Sequence, residues 1–236
     1  MIADRVAAVR ERVARAAARA GRRAEEVVVV AVSKTFPRGA VREAFDAGLR
    51  EFGENRVQEA EPKVEALAEL RTAGLHWHLV GHLQSNKARK AAALFDLIHS
   101  LDDADLGRRL ERIGAEAGRT VRVLVQVDLA GQATKSGLDE ARLMPVLEVL
   151  RGFKSVRAEG LMILPPYADD AERTRPYFRK LRELRDRARA ESLLSGSDLS
   201  MGMSHDFEIA IEEGATIVRL GTAIFGERGA DRPSPG

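Results

Sequence analysis

Strand-like and helix-like segments alternate along this chain from residue 27 to residue 220, and no other feature narrows its fold so far. Short β-branched or apolar runs at 27–33, 50–53, 76–80, 96–100, 121–128, 156–163, 198–203 and 216–220 predict strands. Amphipathic patterns at 39–48, 56–71, 85–94, 103–117, 138–151, 170–192 and 205–213 predict helices between them. Parallel strands need a long crossover connection, which a helix supplies, so strict alternation predicts a parallel sheet covered by helices. Such units repeated through 236 residues suit an α/β fold of the (β/α)₈ TIM barrel type. A doubly wound open sheet is the alternative. The first strand-to-helix junction, Ser33-Lys34-Thr35-Phe36-Pro37-Arg38-Gly39, lacks the glycine pattern of a dinucleotide site, which favours the barrel. The Ala/Arg/Val-rich stretch from Met1 to Arg19 predicts an extra N-terminal helix with Val6, Val9 and Val13 on its apolar side.

No Pro/Gly/Ser linker divides the sequence, so one domain is expected over residues 1–228, followed by a disordered tail at 229–236. Charged residues make up 31% of the chain, yet the net charge is only +2. The arginines are interleaved with acids, as where Glu183 and Arg187 stand one helical turn apart, and this reads as solvated helix faces, not a nucleic-acid stripe. Absence of cysteine excludes disulfides and thiolate metal sites. The N-terminus has no uncharged signal-peptide core and no apolar run is long enough to span a bilayer, so a soluble, cytoplasmic protein is expected.

Barrel active sites form at the C-terminal ends of the strands. Lys34 ends the apolar run Val27-Val28-Val29-Val30-Ala31-Val32-Ser33, in a chain with 31 arginines and only 7 lysines. Unlike arginine, a lysine can lose its proton and attack a carbonyl carbon, so Lys34 is a candidate Schiff-base residue; a solvated strand-capping lysine is the plain alternative. Arg219 lies in the apolar strand Ala215-Thr216-Ile217-Val218-Arg219-Leu220-Gly221. A guanidinium there needs an acceptor, either a buried carboxylate or a ligand in the barrel mouth. The following Gly221-Thr222-Ala223-Ile224-Phe225-Gly226 and the neighbouring Ser200-Met201-Gly202-Met203-Ser204 supply small and hydroxyl residues suited to a phosphate. An amine at one end and a phosphate cradle at the other describe a site for a small phosphorylated aldehyde, and pyridoxal 5′-phosphate (PLP) fits that description.

These segments also carry a resemblance. Ala31-Val32-Ser33-Lys34-Thr35, Phe52-Gly53-Glu54-Asn55-Arg56-Val57-Gln58-Glu59 and Trp77-His78-Leu79-Val80-Gly81-His82-Leu83-Gln84-Ser85-Asn86-Lys87 are similar to the PLP homeostasis protein family. So are Lys135-Ser136-Gly137, Gly160-Leu161-Met162, Ser200-Met201-Gly202-Met203-Ser204-His205-Asp206 and Val218-Arg219-Leu220-Gly221-Thr222-Ala223-Ile224-Phe225-Gly226. The resemblance runs in order from residue 27 to 226. It implies a barrel like the alanine racemase N-terminal domain, with PLP as cofactor in a Schiff base to Lys34 and Arg219 facing the pyridine nitrogen. It further implies phosphate binding by Ser204, Gly221 and Thr222, with Asn55 and Met201 among the cofactor-binding residues.

PLP acts as an electron sink most strongly when its ring nitrogen is protonated, and a cationic Arg219 opposes that proton. A racemase also needs acid/base groups on both faces of the substrate carbon, which fold relatives take from a second domain and a partner chain. No such domain is expected after the eighth strand, so the expected role is a monomeric PLP carrier serving apo-PLP enzymes, with no catalytic residues assigned. A weak amino-acid racemase and a class I Schiff-base aldolase are the alternatives. Lys135 is a rival amine, and His76 and His78 share a strand face as metal-binding pairs do, although metal is not expected. The helix at 170–192, Arg-rich on one side, offers either a solvated face or a partner surface.

Overall fold

A computed structural model of the chain describes residues 1–131 and 136–227. Lys135 and the tail at 229–236 lie outside the described residues. Eight parallel strands close into one barrel in sequence order, β1 pairing with both β2 and β8. They are β1 (Val28–Val32), β2 (Glu51–Glu54), β3 (His76–Leu79), β4 (Leu97–Leu101), β5 (Val121–Val127), β6 (Val156–Ile163), β7 (Asp198–Met203) and β8 (Ile217–Leu220). The helices are α1 (Ile2–Arg19), α2 (Arg38–Asp46), α3 (Val57–Ala66), α4 (Ala68–Thr72), α5 (Ala88–Leu94), α6 (Ala104–Ala117), α7 (Glu140–Arg151), α8 (Arg175–Ala190), α9 (Phe207–Glu212) and α10 (Thr222–Phe225). Each predicted strand is present within a residue or two of its expected bounds, and the fold is a TIM barrel.

Alternation along the strands sorts the core into two shells. Val30, Val32, Val80, Leu97, Leu124, Met162 and Ile217 fill the barrel lumen. The opposite faces, including Ala31, Phe52, Trp77, Leu199, Val218 and Leu220, pack outward against the helices.

Two helical expectations change. The pattern at 56–71 divides into α3 and α4 at Leu67, which is buried with φ −121° and ψ 24°, outside the helical region. Helix α1 is more than an addition to the barrel. Among the described residues, the segment after β8 holds only the four-residue α10, too short to cover its strand. Helix α1 packs against α2, α9 and α10, and its Val6, Val9, Val13, Ala16 and Ala17 join the outer core. It supplies the covering layer that a longer final helix would otherwise give.

The Arg-rich helix α8 begins at Arg175, after a 3₁₀ turn at Ala171–Thr174. Its Arg175, Arg179 and Arg182 are turned to the buried carboxylate of Glu213 at 3.1–3.2 Å, so these cations tie α8 to the end of α9. Among the described residues no helix is long and apolar enough to cross a membrane.

Candidate functional site

Residues before Lys34 are held by a buried polar knot. Lys63 Nζ on α3 donates to the Ser33 carbonyl and to Glu54 Oε1, both at 2.7 Å, and Ser33 Oγ donates to the same carboxylate oxygen at 2.7 Å. Glu54 is fully buried, and its Oε2 has no hydrogen-bond partner among the described residues. It therefore faces α3, not the mouth, and acts on the site by fixing the backbone one residue before Lys34.

Immediately beyond, the chain makes a tight turn closed by the Phe36 amide donating to the Ser33 carbonyl at 3.1 Å. Thr35 adopts φ +68°, an outlier for a β-branched residue and a mark of local strain. Phe36 stacks on Phe225 with ring centroids 5.0 Å apart, joining this turn to the end of α10. Lys34 sits at the tip of the turn with the inward parity of Val30 and Val32. Its side chain is exposed and has no hydrogen-bond or ion-pair partner among the described residues.

Arg219 stands on the adjoining strand β8 and is 4% exposed. Its Nη1 donates to Ser200 Oγ at 2.5 Å and its Nη2 to the Ile163 carbonyl at 2.8 Å. Both acceptors are neutral, so the buried ion pair that the sequence allowed is not what satisfies it. Burial brings its pKa down to about 10, against the opposing field of Asp206, and leaves a cation at neutral pH. Asp206 itself is raised by burial, an effect opposed by the bond it accepts from the Met203 amide at 2.7 Å.

A small oxyanion-sized cradle adjoins the guanidinium. The amides of Gly221 and Ala223 both donate to Ser204 Oγ at 3.2 Å. Two N–H groups converging on one oxygen, with a second hydroxyl on the exposed Thr222, match what a phosphate oxygen requires. Gly202 lies in the stretch where β7 shifts register against β8: it has φ +90°, and a Cβ would lie 2.6 Å from that of Ala210 on α9.

Asn55, half-buried, follows β2 on the same rim. Gly81 after β3 must lack a side chain, since a Cβ there would come within 2.2 Å of the Asn55 carbonyl oxygen. Met201 differs from the other predicted site residues: its side chain is wholly buried in the outer core, because its parity is opposite to that of Ser200. Only its backbone is left to face the mouth. Farther round the rim, His82 Nδ1 meets Asp102 at 3.3 Å, and burial pushes the Asp102 carboxyl up despite that neighbour.

His76 and His78 share a strand face as their spacing predicts. Both turn to one carboxylate, Glu51, at 2.9 and 2.7 Å. Among the described residues no group of three or more His, Cys, Asp or Glu is placed to hold a metal ion. Ser200, Lys63 and Glu54 were not singled out from sequence for the roles they take. The signal for Ser200 was parity, since it is the hydroxyl one position before Met201 on an apolar strand.

A profile of the alanine racemase N-terminal domain matches residues 5–229. The pyridoxal phosphate homeostasis protein of Aquifex aeolicus is 44% identical over 225 residues, covering 95% of this chain and 97% of its own. The protein of that name from Escherichia coli is 40% identical over 232 residues, with 96% and 97% covered. The structure of PipY from Synechococcus elongatus without PLP superposes with a TM-score of 0.86 at 42% identity, over 96% of this chain and all of that one. Its form with PLP bound gives 0.84 at 41% identity, again over 96% of this chain. An alanine racemase of Clostridium difficile, at 15% identity and a TM-score of 0.66, shares the fold over 87% of this chain and 56% of its own. With its motifs in order along a single closed barrel, the chain belongs to the alanine racemase N-terminal domain family, among the pyridoxal phosphate homeostasis proteins.

Proposed function

We propose that this protein binds PLP and serves its homeostasis, holding the cofactor and handing it on without turning over a substrate. The donor set at the rim fits that molecule part by part. A partnerless lysine amine suits an aldehyde, a guanidinium held by neutral groups suits a ring nitrogen with a lone pair, and converging amides suit a phosphate. The observation that carries the reading is this trio on three adjoining strands: Lys34 after β1, the Ser204 cradle after β7 and Arg219 on β8.

In this reading Lys34 would hold PLP through its aldehyde carbon, the group with which a lysine amine combines. Arg219 would lie toward the ring nitrogen, where its charge would oppose a proton there. Ser204, Gly221 and Thr222 hold the phosphate, Asn55 lines the pocket, and Met201 contributes through its backbone alone. When bound, PLP supplies an electrophilic carbon and an electron-withdrawing ring. A ring nitrogen kept free of its proton withdraws less, which disfavours transamination and leaves racemase-type chemistry or none. We further infer that the barrel at 1–228 is the working unit, a cytoplasmic monomer whose recipients are apo-PLP enzymes.

Borohydride reduction of the PLP-loaded protein followed by peptide mapping tests this directly. The expected result is a pyridoxyl group on Lys34 and loss of the visible band in Lys34→Ala. A pyridoxyl group confined to another lysine rejects the assignment, and sustained racemase turnover by purified holoprotein rejects the carrier role.

A further inference from the structure

Beneath the mouth, side chains from five strands form one unbroken hydrogen-bonded column through the barrel. From Arg219 the bond to Ser200 Oγ leads to His99 Nδ1 at 2.8 Å. His99 Nε2 meets His78 Nδ1 at 2.8 Å, and His78 Nε2 meets Glu51 Oε2 at 2.7 Å. His99 and Ser200 are fully buried and His78 nearly so, whereas Glu51 is partly exposed at the barrel floor. Nothing in the fold alone calls for two hydrogen-bonded imidazoles and a hydroxyl in a lumen lined largely by Val, Leu, Met and Ile.

With His78 neutral, the two ends of the column allow one direction only. A guanidinium donates and never accepts; an ionised carboxylate accepts and never donates. Glu51 therefore takes the Nε2 proton of His78, whose Nδ1 in the neutral ring is then a lone pair. That lone pair takes an N–H from His99 Nε2, so His99 Nδ1 is a lone pair in turn. It takes the hydroxyl proton of Ser200, and the Ser200 oxygen is left to accept from Arg219. Burial above all holds the pKa of His99 well below its ordinary value and keeps this ring neutral. All four ring nitrogens and the Ser200 hydroxyl are then used, and with both rings neutral reversing any single link would set two lone pairs or two protons against each other.

We propose that Glu51, acting through His78, His99 and Ser200, is a positioning residue for the cofactor site: it sets the tautomers that turn the Ser200 hydroxyl proton to His99 and its lone pair to Arg219, and so fixes the plane of the Arg219 guanidinium. This rests on the PLP reading above only in its last step, because the direction of the column is a property of the protein alone. Other charges face the column. Arg122 on β5 pairs with Glu159 on β6 at 2.7 Å and acts on Glu51, while Asp198 on β7 feels His78. His76 takes the other oxygen of Glu51, and Asp206 acts on Arg219.

The test uses ¹⁵N-resolved histidine spectra of the full chain, with PLP titrations followed in the visible. In wild type, His78 and His99 should both carry the proton on Nε2 near neutral pH. Glu51→Gln, which keeps an acceptor oxygen, should preserve this pattern and the PLP affinity. Glu51→Leu should let His99 take a proton on Nδ1, weaken PLP by about tenfold and move the pH midpoint of the visible band by about one unit. A proton on Nδ1 of His99 in wild type overturns the proposal, and this reading needs no variant to fold. So does a Glu51→Leu protein that matches Glu51→Gln in tautomer and affinity. Failure of wild type to bind PLP, with the tautomers as expected, would instead refute the cofactor reading and leave the column standing.

Discussion

Val30 on β1 stands directly opposite Arg219 on β8, and this pairing closes the barrel. Lys34 lies four residues beyond Val30, in the turn after the end of β1, which puts it nearer the lip than Arg219. The guanidinium is thus deep and dehydrated while the amine is shallow and free. A flat ring carrying an aldehyde and a phosphate is a natural bridge between them. Burial gives Arg219 its value to the site and also makes it costly to the fold.

That conflict predicts the behaviour of Arg219→Met. Keeping an ion in a dry interior opposes folding by several kcal/mol, and its two neutral acceptors return only part of this. Leaving the Ser200 hydroxyl and the Ile163 carbonyl without their donor costs about 1–3 kcal/mol. Urea unfolding should show stability retained or raised, while PLP affinity falls by about tenfold or more. A loss above about 3 kcal/mol would instead make Arg219 a structural tie.

Lys63 should behave in the opposite way. It and Glu54 are a well-buried pair, with side-chain exposures of 13% and 0%. Lys63→Met strands the Glu54 carboxylate and releases the Ser33 carbonyl, so a loss of about 3–5 kcal/mol is expected in chemical unfolding. Adding Glu54→Leu should recover most of that loss. PLP affinity should stay low in the double variant, because the backbone before Lys34 is no longer tied. Equal losses in the single and double variants would refute the pairing.

Acid should loosen α1 before the barrel opens. Arg12 holds Glu208 through paired bonds at 3.1 and 2.8 Å, and Arg19 holds Glu212 at 2.7 Å. The Arg12 hydrogen bond lowers Glu208, and hydrogen bonds from Arg175 first and then Arg19 lower Glu212, both outweighing desolvation. A carboxylate lowered in the folded state stabilises it above the ordinary value near 4.5. The contribution disappears as pH falls from there through the folded value. These groups are partly solvated, so each pair contributes only about 0.2–1 kcal/mol. Hydrogen exchange should therefore show α1 amides losing protection below about pH 4 ahead of β5 and β6. Simultaneous loss in α1 and those strands would count against the idea.

Much of the architecture was legible because its signals are local. Alternating apolar runs at 28–32, 121–127 and 217–220 declare strands within their own few residues, and eight of them separated by helices leave little choice but a closed parallel barrel. Lys34, Arg219 and the Gly221 turn stood out because each breaks its local pattern at a strand end. The division at Leu67 was not legible, since a buried leucine suits helix and junction equally. Met201 was read by its place in a motif, and strand parity turned its side chain to the outer core.

From its residues alone the chain determined eight strands in order, the rim on which they end, and the amine and guanidinium set there. Those follow from periodicity and from the rule that an odd charge in an apolar strand must have a use. Only the tertiary structure decided that α1 covers the gap left by the short α10, that Glu54 serves the site from behind, and that His76 and His78 share a carboxylate. Each of these depends on contacts between residues far apart in sequence, such as Arg12 with Glu208 or His99 with Ser200. Such contacts exist only once the barrel has closed, and no local pattern encodes them.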